Sequence, residues 1–234
     1  MAANVRIGEV VLGDRPRIVA AGGEAELPAL VAAEGADLVE LRADLFDAPT
    51  PEGVVAALGR LRGGGRPVIL TVRAEAEGGR PMDEARRRAI YLAGLPAADA
   101  VDVEIAAAAL VAEVVPAAHA AGKTVLLSAH ALDATPPNDA LLSLVDRAEA
   151  AGADVTKLAA HARDREDVRR LLEVTLAARR RNVVVIAMGA AGTLSRVLFP
   201  AAGSLLTYAS VGRPTAPGQI PAAELAALLR RLYG

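Results

Sequence analysis

Short apolar runs and amphipathic segments alternate along the whole chain. The runs are rich in Val, Ile and Leu, and the segments between them are rich in Ala. This order is typical of parallel strands joined by covering helices. The eight predicted strands begin near Arg17, Asp37, Pro67, Ala100, Lys123, Ala153, Asn182 and Ser204. The eight predicted helices are centred on Leu30, Ala57, Arg87, Val114, Leu144, Leu172, Val197 and Leu228.

Eight such units within 234 residues predict a closed barrel, because a doubly wound sheet normally has fewer strands and a glycine-rich first turn. We therefore expect an α/β fold, a single (β/α)8 TIM barrel over residues 1–234, with no linker that divides it. Residues 1–14 precede the first strand and contain an alternating pattern. We expect them to form a short β-ribbon that closes the N-terminal mouth of the barrel. Asp164, followed three residues later by Asp167, predicts the start of the sixth helix.

Composition narrows the class of partner. A net charge of −2 without a long basic run offers no electrostatic footprint for nucleic acid or an anionic membrane, so a small-molecule partner fits better. The chain has no cysteine, and its three histidines form no HxxxH or HExxH pair, so we predict neither a metal site nor another cofactor. No signal stretch or uninterrupted membrane-length apolar run is found, which predicts a soluble cytoplasmic protein.

One lysine stands out. Only two of the 26 Lys and Arg residues are lysines, and one of them, Lys157, lies near the end of the apolar run ADVTKLA. A guanidinium stays protonated, whereas a desolvated lysine amine can lose its proton and condense with a ketone or aldehyde to a Schiff base. The alternative is a lysine that extends from a strand end into solvent.

Polar residues lie where the predicted strands end. The active site of a closed barrel lies at the C-terminal ends of its strands, so these residues are candidates for one site. Because side chains alternate along a strand, Glu40 and Arg42 share one face, as do Ser128 and His130. The strand-end set is Glu40, Arg42, Arg73, Glu104, Ser128, His130, Lys157 and Ser210.

Seven motifs at these strand ends together resemble type I 3-dehydroquinate dehydratase, the Schiff-base dehydratase of the shikimate pathway of aromatic amino acid biosynthesis. The resemblance runs from about Val5 to Tyr233 and rests on the order and spacing of the motifs. They are ELRAD from Glu40, TVRAEAEGG from Thr71, DVE from Asp102, SAH from Ser128, VTKLA from Val155, MGAAGTLSR from Met188 and TAPGQI from Thr215.

The resemblance implies a role for each matched residue. Lys157 would form the Schiff base with 3-dehydroquinate, His130 would be the acid–base group of a syn elimination, and Glu77 would orient His130. Arg196 would bind the substrate carboxylate, and the loop 212–218 would close over the barrel mouth. The remaining substrate-binding residues would be Glu40, Arg42, Arg73, Thr215 and Gln219. Relatives are often dimers, so a homodimer is expected.

Structural alternatives accompany these assignments. Glu40 and Arg42 alone would more often be an ion pair that closes the top of a barrel, and Arg196 near a helix start would be solvated. Asp102 and Glu104 would hold loops or the Arg and Lys head groups, and His119 and His161 would be surface residues, the second in a loop.

Two other functions are consistent with the motifs. A Schiff-base aldolase would need an anion-binding glycine nest after the seventh or eighth strand, for which Gly189–Gly192 is a candidate. A non-catalytic metabolite-binding barrel would be expected to lack Lys157 or His130, and both residues are present. Ala129, Ala131, Ile186 and Thr215 depart from the family pattern without removing a reacting group.

Overall fold

The computed structural model describes residues 5–234, so residues 1–4 of the predicted ribbon lie outside the described residues. Two short strands, β1 (Arg6–Ile7) and β2 (Val10–Val11), pair antiparallel. Gly8 makes the turn between them with a φ of 54°, a left-handed conformation that favours glycine. Ile7 is buried against the lowest residues inside the barrel, so this ribbon covers the N-terminal mouth.

Eight further strands and eight helices follow in alternation, close to the predicted positions. The strands are β3 (Arg17–Gly22), β4 (Leu38–Arg42), β5 (Val68–Thr71), β6 (Ala100–Glu104), β7 (Thr124–Ala131), β8 (Val155–His161), β9 (Val183–Met188) and β10 (Leu206–Ser210). The helices are α1 (Leu27–Ala32), α2 (Pro51–Arg62), α3 (Glu84–Gly94), α4 (Ala108–Ala120), α5 (Asn138–Ala150), α6 (Arg165–Ala178), α7 (Ser195–Ala202) and α8 (Ala222–Tyr233).

The eight strands form one parallel sheet in the order β10-β3-β4-β5-β6-β7-β8-β9. At the remaining edge, Leu205 N donates to Val183 O at 2.9 Å and Val185 N donates to Ser204 Oγ at 3.1 Å. These bonds join β9 to the residues that lead into β10, so the sheet is nearly closed. The predicted (β/α)8 barrel is confirmed.

The barrel interior changes from apolar to polar along each strand. Near the N-terminal ends the inward side chains are apolar, as Leu38, Ile69 and Leu126 show. Two residues further along the same strands, the inward positions are Glu40, Thr71 and Ser128, all buried. Because successive inward positions are two residues apart, this change places one polar layer at the C-terminal end of the barrel. The helices cover the outer face of the strands with a separate apolar core.

Local sequence signals set several element boundaries. Asp164 accepts a hydrogen bond from Asp167 N at 3.0 Å and so caps α6, as predicted. Thr50 and Asp83 cap α2 and α3 in the same way. Two boundaries differ from the prediction: Arg73 lies two residues beyond the end of β5, and His161 is the half-buried last residue of β8, not a loop residue.

None of the helices in residues 5–234 is long and apolar enough to cross a membrane. Within the same residues, no group of three or more His, Cys, Asp or Glu side chains is arranged to hold a metal ion.

Candidate active site

A cavity of about 200 Å³ opens at the C-terminal ends of the strands. It is the place where a closed barrel carries its active site. All the site residues predicted from the sequence line this cavity, namely Glu40, Arg42, Arg73, Glu77, His130, Lys157, Arg196, Thr215 and Gln219. The structure therefore brings together residues that are up to 179 positions apart in the chain.

Lys157 extends from β8 into the barrel interior and is only 4% exposed. Its Nζ lies 2.8 Å from Asp102 Oδ2 and 3.6 Å from Glu40 Oε2. The face of the Tyr208 ring lies 4.1 Å from the same nitrogen. The solvated strand-end alternative is therefore wrong. The expected desolvation is present, but two carboxylates accompany it and stabilise the charged amine.

Asp102 is the centre of a buried network. Its Oδ1 accepts hydrogen bonds from Arg73 Nη2 at 2.9 Å and from Ser128 Oγ at 2.6 Å, while its Oδ2 accepts from Lys157. Burial opposes ionisation of this carboxyl, but Arg73 and Lys157 hold its pKa well below the usual value. Glu104 also binds Arg73, at 3.2 Å. Asp102 and Glu104 thus hold the Arg and Lys head groups, as the structural alternative expected.

The neighbours of Glu40 and Arg42 differ from the expected ion pair. Arg42 makes a bidentate ion pair with Asp44, in which Nε donates to Oδ1 at 2.9 Å and Nη2 donates to Oδ2 at 2.7 Å. Glu40 accepts a hydrogen bond from Thr71 Oγ1 at 2.7 Å and faces Lys157. The two residues do not pair with each other, because Asp44 follows β4 on a short turn and reaches the guanidinium first.

His130 and Glu77 form a pair beside Lys157, because His130 lies on β7, the strand next to β8. Glu77, on the 3-10 turn Glu75–Glu77, accepts from His130 N at 2.9 Å, and its Oε2 lies 2.8 Å from His130 Nδ1. Burial raises the pKa of Glu77 to about 7. Burial and the charges of Arg73 and Lys157 hold the pKa of His130 well below its usual value. The imidazole is therefore neutral near pH 7, with Nδ1 held by Glu77 and Nε2 left as the basic atom.

Arg196 is a buried cation without a carboxylate partner among residues 5–234. It lies on α7, is 2% exposed, and donates to the carbonyls of Tyr208, Gly218 and Pro217 at 3.1, 3.2 and 3.4 Å. Burial lowers the pKa of its guanidinium to about 10. The solvated alternative is therefore wrong. A buried charge with only neutral partners favours an anion in the adjoining cavity.

The loop after β10 covers one side of the cavity. The Gln219 side chain accepts a hydrogen bond from Thr215 N at 2.8 Å and donates one to Thr215 Oγ1 at 3.1 Å. These two bonds hold residues 215 and 219 together and so restrain the loop. Gly218 has a φ of 77°, and a Cβ there would lie 2.5 Å from Gly189 O, so the turn requires glycine. The carbonyls of this turn are two of the acceptors for Arg196, which joins the loop to the cation.

Comparison with known proteins agrees with this geometry. A family model described as type I 3-dehydroquinase matches residues 21–234. The chain belongs to the type I 3-dehydroquinase family. The 3-dehydroquinate dehydratase of Methanococcoides burtonii is 37% identical over 226 residues, which cover 94% of this chain and 96% of that protein. That of Methanocella arvoryzae is 38% identical over 218 residues, which cover 93% and 97%.

A solved structure gives the same result for the fold. The crystal structure of the 3-dehydroquinate dehydratase from Geobacillus kaustophilus superposes with a TM-score of 0.89 at 33% identity. The match covers 97% of this chain and 95% of that one. A type I 3-dehydroquinase barrel thus extends over nearly the whole chain.

Four residues depart from the pattern of the type I 3-dehydroquinase family, and the structure shows where each of them lies. Ile186 and Met188 both line the cavity, so the Ile186 side chain supplies the apolar contact expected there. Thr215 keeps a hydroxyl, which contacts Gln219. Ala129 and Ala131 flank His130 in β7 and leave the contact between His130 and Glu77 intact.

The sequence did not single out Tyr208. It lies in the run SLLTYAS, which has the appearance of ordinary core, yet its ring lines the cavity. The alternation of side chains along a strand could have identified it. Tyr208 lies two residues before the strand-end residue Ser210 and therefore faces the same side of the strand.

Proposed function

We propose that this chain converts 3-dehydroquinate to 3-dehydroshikimate by a syn elimination through a Schiff base on Lys157. The observation that carries the proposal is a buried amine and a neutral imidazole in one cavity, with His130 two positions further along the strand next to Lys157. The register pairs Ser128 with Lys157 and His130 with Ala159. The imidazole therefore lies nearer to the cavity mouth than the amine does.

The amine acts first in the proposed mechanism. Lys157 passes one proton from Nζ to His130 Nε2, and the neutral Nζ adds to the substrate ketone. His130 then gives that proton to the departing oxygen, so that loss of water leaves an iminium ion. The positive nitrogen then withdraws electrons from the neighbouring carbon, which makes its C–H bond acidic. Glu40 and Asp102 lie at 3.6 and 2.8 Å from Nζ and favour the positive charge that the iminium carries.

His130 then moves the proton in the proposed mechanism. The neutral Nε2 removes a proton from the carbon next to the iminium carbon and afterwards protonates the departing hydroxyl, so one group serves both halves of the elimination. Glu77 holds Nδ1 and keeps the ring in place. Hydrolysis of the product iminium with one water returns the amine of Lys157.

Arg196 and five further residues bind the substrate in this proposal. Arg196 pairs with the substrate carboxylate, because it is the buried cation of the cavity that has only neutral partners among the described residues. Glu40, Arg42, Arg73, Thr215 and Gln219 contact the ring hydroxyls and the remaining edges. Arg73 is fixed for this contact by Asp102, Glu104 and Ser128.

The aldolase alternative gains no support from the glycine segment Gly189–Gly192. The N–H groups of Gly189, Gly192 and Thr193 donate to Pro217 O, Gly189 O and Ala190 O at 3.3, 3.1 and 3.4 Å. These three donors are engaged within the chain and are not directed at the cavity as a phosphate nest would require. The segment therefore fixes the loop that follows β10, and we propose no second activity.

The two lysines of the chain provide a matched test. We expect Lys157→Met to abolish formation of the conjugated enone product, because Met fills the same volume without an amine. Lys123→Met, at the residue that precedes β7, should leave turnover unchanged. Absorbance of the product during turnover is the measurement, with thermal melting to show that both variants are folded. Turnover by Lys157→Met within tenfold of the wild type would contradict the proposal.

We also propose that the chain forms a homodimer through α7 and α8. Five large apolar side chains are exposed there, namely Leu194, Leu198, Leu228, Leu232 and Tyr233. On α8, Glu224 and Arg231 flank Ala227 and Leu228 on the exposed face, so two antiparallel copies about a twofold axis would pair Glu224 with Arg231 twice. Sedimentation should show a dimer that Leu228→Glu dissociates; a monomeric wild type would contradict this.

Cytoplasmic location stays a prediction that cell fractionation tests.

A further inference from the structure

Tyr208 contacts two of the cations that line the cavity, Lys157 and Arg196. It lies on β10, is 4% exposed, and presents its ring face to Lys157 Nζ at 4.1 Å. Its backbone carbonyl accepts from Arg196 Nη1 at 3.1 Å. A positive nitrogen over an aromatic face is attracted by the ring quadrupole, so this contact stabilises the charged forms of the Lys157 nitrogen.

The hydroxyl of Tyr208 is buried and has no hydrogen-bond partner among residues 5–234. Tyr91, also buried, shows the usual arrangement, because its hydroxyl donates to Asp102 O at 2.6 Å and accepts from Val72 N at 3.0 Å. A buried hydroxyl without a partner is destabilising. Its occurrence beside the reacting amine indicates that its partner is a ligand atom.

The other donors near Lys157 are already used. Thr71 Oγ1 donates to Glu40, and Ser128 Oγ donates to Asp102. Arg73 donates to Asp102, to Glu104 and to Ser128. The Tyr208 hydroxyl is the donor in this neighbourhood that makes no hydrogen bond of ordinary geometry with the described residues, although it lies near the Glu40 carboxylate. Burial, with the charges of Glu40 and Asp102, raises the pKa of Tyr208 well above its usual value, so the phenol keeps its proton.

We propose that the Tyr208 hydroxyl donates a hydrogen bond to the substrate oxygen at the carbon that Lys157 attacks. This inference rests on the proposed Schiff-base function and assigns a further substrate-contacting residue to it. Negative charge builds on that oxygen during attack, and the nearby carboxylates of Glu40 and Asp102 would repel it. A neutral donor is therefore needed at this point, as in other sites that stabilise a developing oxyanion.

The electron and proton balance of the step is simple. The nitrogen lone pair forms the C–N bond, and the π pair of the ketone moves to the oxygen. A proton passes from the added nitrogen to that oxygen through His130, which gives the carbinolamine. The proton that Lys157 gave to His130 before its attack is then passed to this hydroxyl, which leaves as water and so forms the iminium. Tyr208 keeps its own proton throughout and has no oxygen partner once water has left.

The first test is the rate of imine formation in Tyr208→Phe, which keeps the ring and removes the hydroxyl. Enzyme and 3-dehydroquinate are mixed rapidly and quenched with borohydride, and the fraction carrying reduced adduct is followed by intact mass. We expect adduct formation to slow about tenfold, the loss of roughly one neutral hydrogen bond. Tyr208→Leu, which also removes the ring face from Nζ, should be slower still.

An isotope effect separates this role from a structural one. In Tyr208→Phe, slower imine formation should become the limiting step. The primary deuterium isotope effect on kcat/KM, for substrate labelled at the abstracted position, should therefore fall towards one. Thermal melting is the folding control. Tyr208→Phe should melt at or above the wild-type temperature, whereas Tyr91→Phe should melt lower because it removes a satisfied hydroxyl.

The outcomes are distinct. Equal rates of adduct formation in wild type and Tyr208→Phe, with an unchanged isotope effect, would overturn this inference alone. A lower melting temperature for Tyr208→Phe at an unchanged rate would also overturn it, since the hydroxyl would then have a structural partner. If the wild type formed product but no adduct, the proposed Schiff-base function itself would fail.

Discussion

One wall of the cavity holds Lys157 and another holds Arg196, and these two buried cations have opposite surroundings. Lys157 is enclosed by Asp102, Glu40 and an aromatic face, so its charge is balanced inside the protein. Arg196 is as deeply buried but is satisfied only by three carbonyls. Burial alone thus does not indicate the purpose of a cation; its partners do. A balanced cation is suited to chemistry at its own nitrogen, whereas an unbalanced one is suited to an external anion.

This contrast explains why the chain uses both residue types. A lysine amine can form and release a covalent bond, whereas a guanidinium cannot, but its planar donors bind a carboxylate at two points. Asp102 lies on the lysine wall, where it would also hold a new positive nitrogen. A similar carboxylate beside Arg196 would compete with the substrate.

After the complete loss expected for Lys157→Met, the largest expected effect is that of His130→Ala, also on the lysine wall. Loss of the acid–base group should lower kcat by about 10²- to 10⁴-fold. Imine formation should continue slowly, because Lys157 is intact. Product absorbance gives kcat, and borohydride reduction with intact mass measures the adduct. Turnover close to wild type in this variant would show that another group moves the proton.

Arg196→Ala should have the next largest effect, and it should act on binding. Loss of a charge-assisted contact to a buried carboxylate should raise KM by about 30- to 150-fold, equivalent to roughly 2–3 kcal/mol. Because Arg196 has only neutral partners, we expect a smaller change in stability. The measurement is steady-state kinetics beside thermal melting. A variant that unfolds at room temperature would identify Arg196 as a structural residue.

The smallest effect concerns the pair of His130 and Glu77 and depends on pH. Burial raises the pKa of Glu77 from 4.5 to about 7, so its carboxyl takes up a proton on folding within that window. Its contribution to stability therefore falls as the pH rises from 4.5 to about 7. Glu77→Gln removes this dependence, so it should gain a few degrees in Tm relative to wild type at pH 8, at roughly 2–4 °C per kcal/mol.

The pH dependence of the Tm difference between Glu77→Gln and the wild type is the control. The gain should shrink towards pH 5, where wild-type Glu77 is neutral in the folded protein. A Tm difference that does not change between pH 5 and pH 8 would show that the carboxyl is ionised throughout.

Periodicity was sufficient to predict the barrel, because eight apolar runs with turn glycines and capped helices admit few other arrangements. Candidate residues at strand ends were predictable for the same reason, since parallel strands bring their C-terminal ends together. Lys157 and His130 were thus predictable as members of one site, whereas Arg196, which lies on α7, was assigned to it, like the chemical roles, only from resemblance to a family.

Partners of individual side chains were not predictable. Arg42 pairs with Asp44 and not with Glu40, because the turn after β4 decides which carboxylate reaches the guanidinium. The burial of Arg196 depends on the loop after β10 folding over α7, a contact that strand patterns do not encode. The place of Tyr208 in the cavity was not predicted, because a tyrosine in an apolar run is equally consistent with ordinary core packing.

The most direct test of the Schiff-base account is reduction of the intermediate with borohydride. The wild type is incubated with 3-dehydroquinate and borohydride, its intact mass is measured, and the peptides are then mapped. We predict one adduct per chain, on the peptide that contains Lys157 and not on the one that contains Lys123. An unchanged mass from folded, active protein, or an adduct on Lys123, would contradict the account.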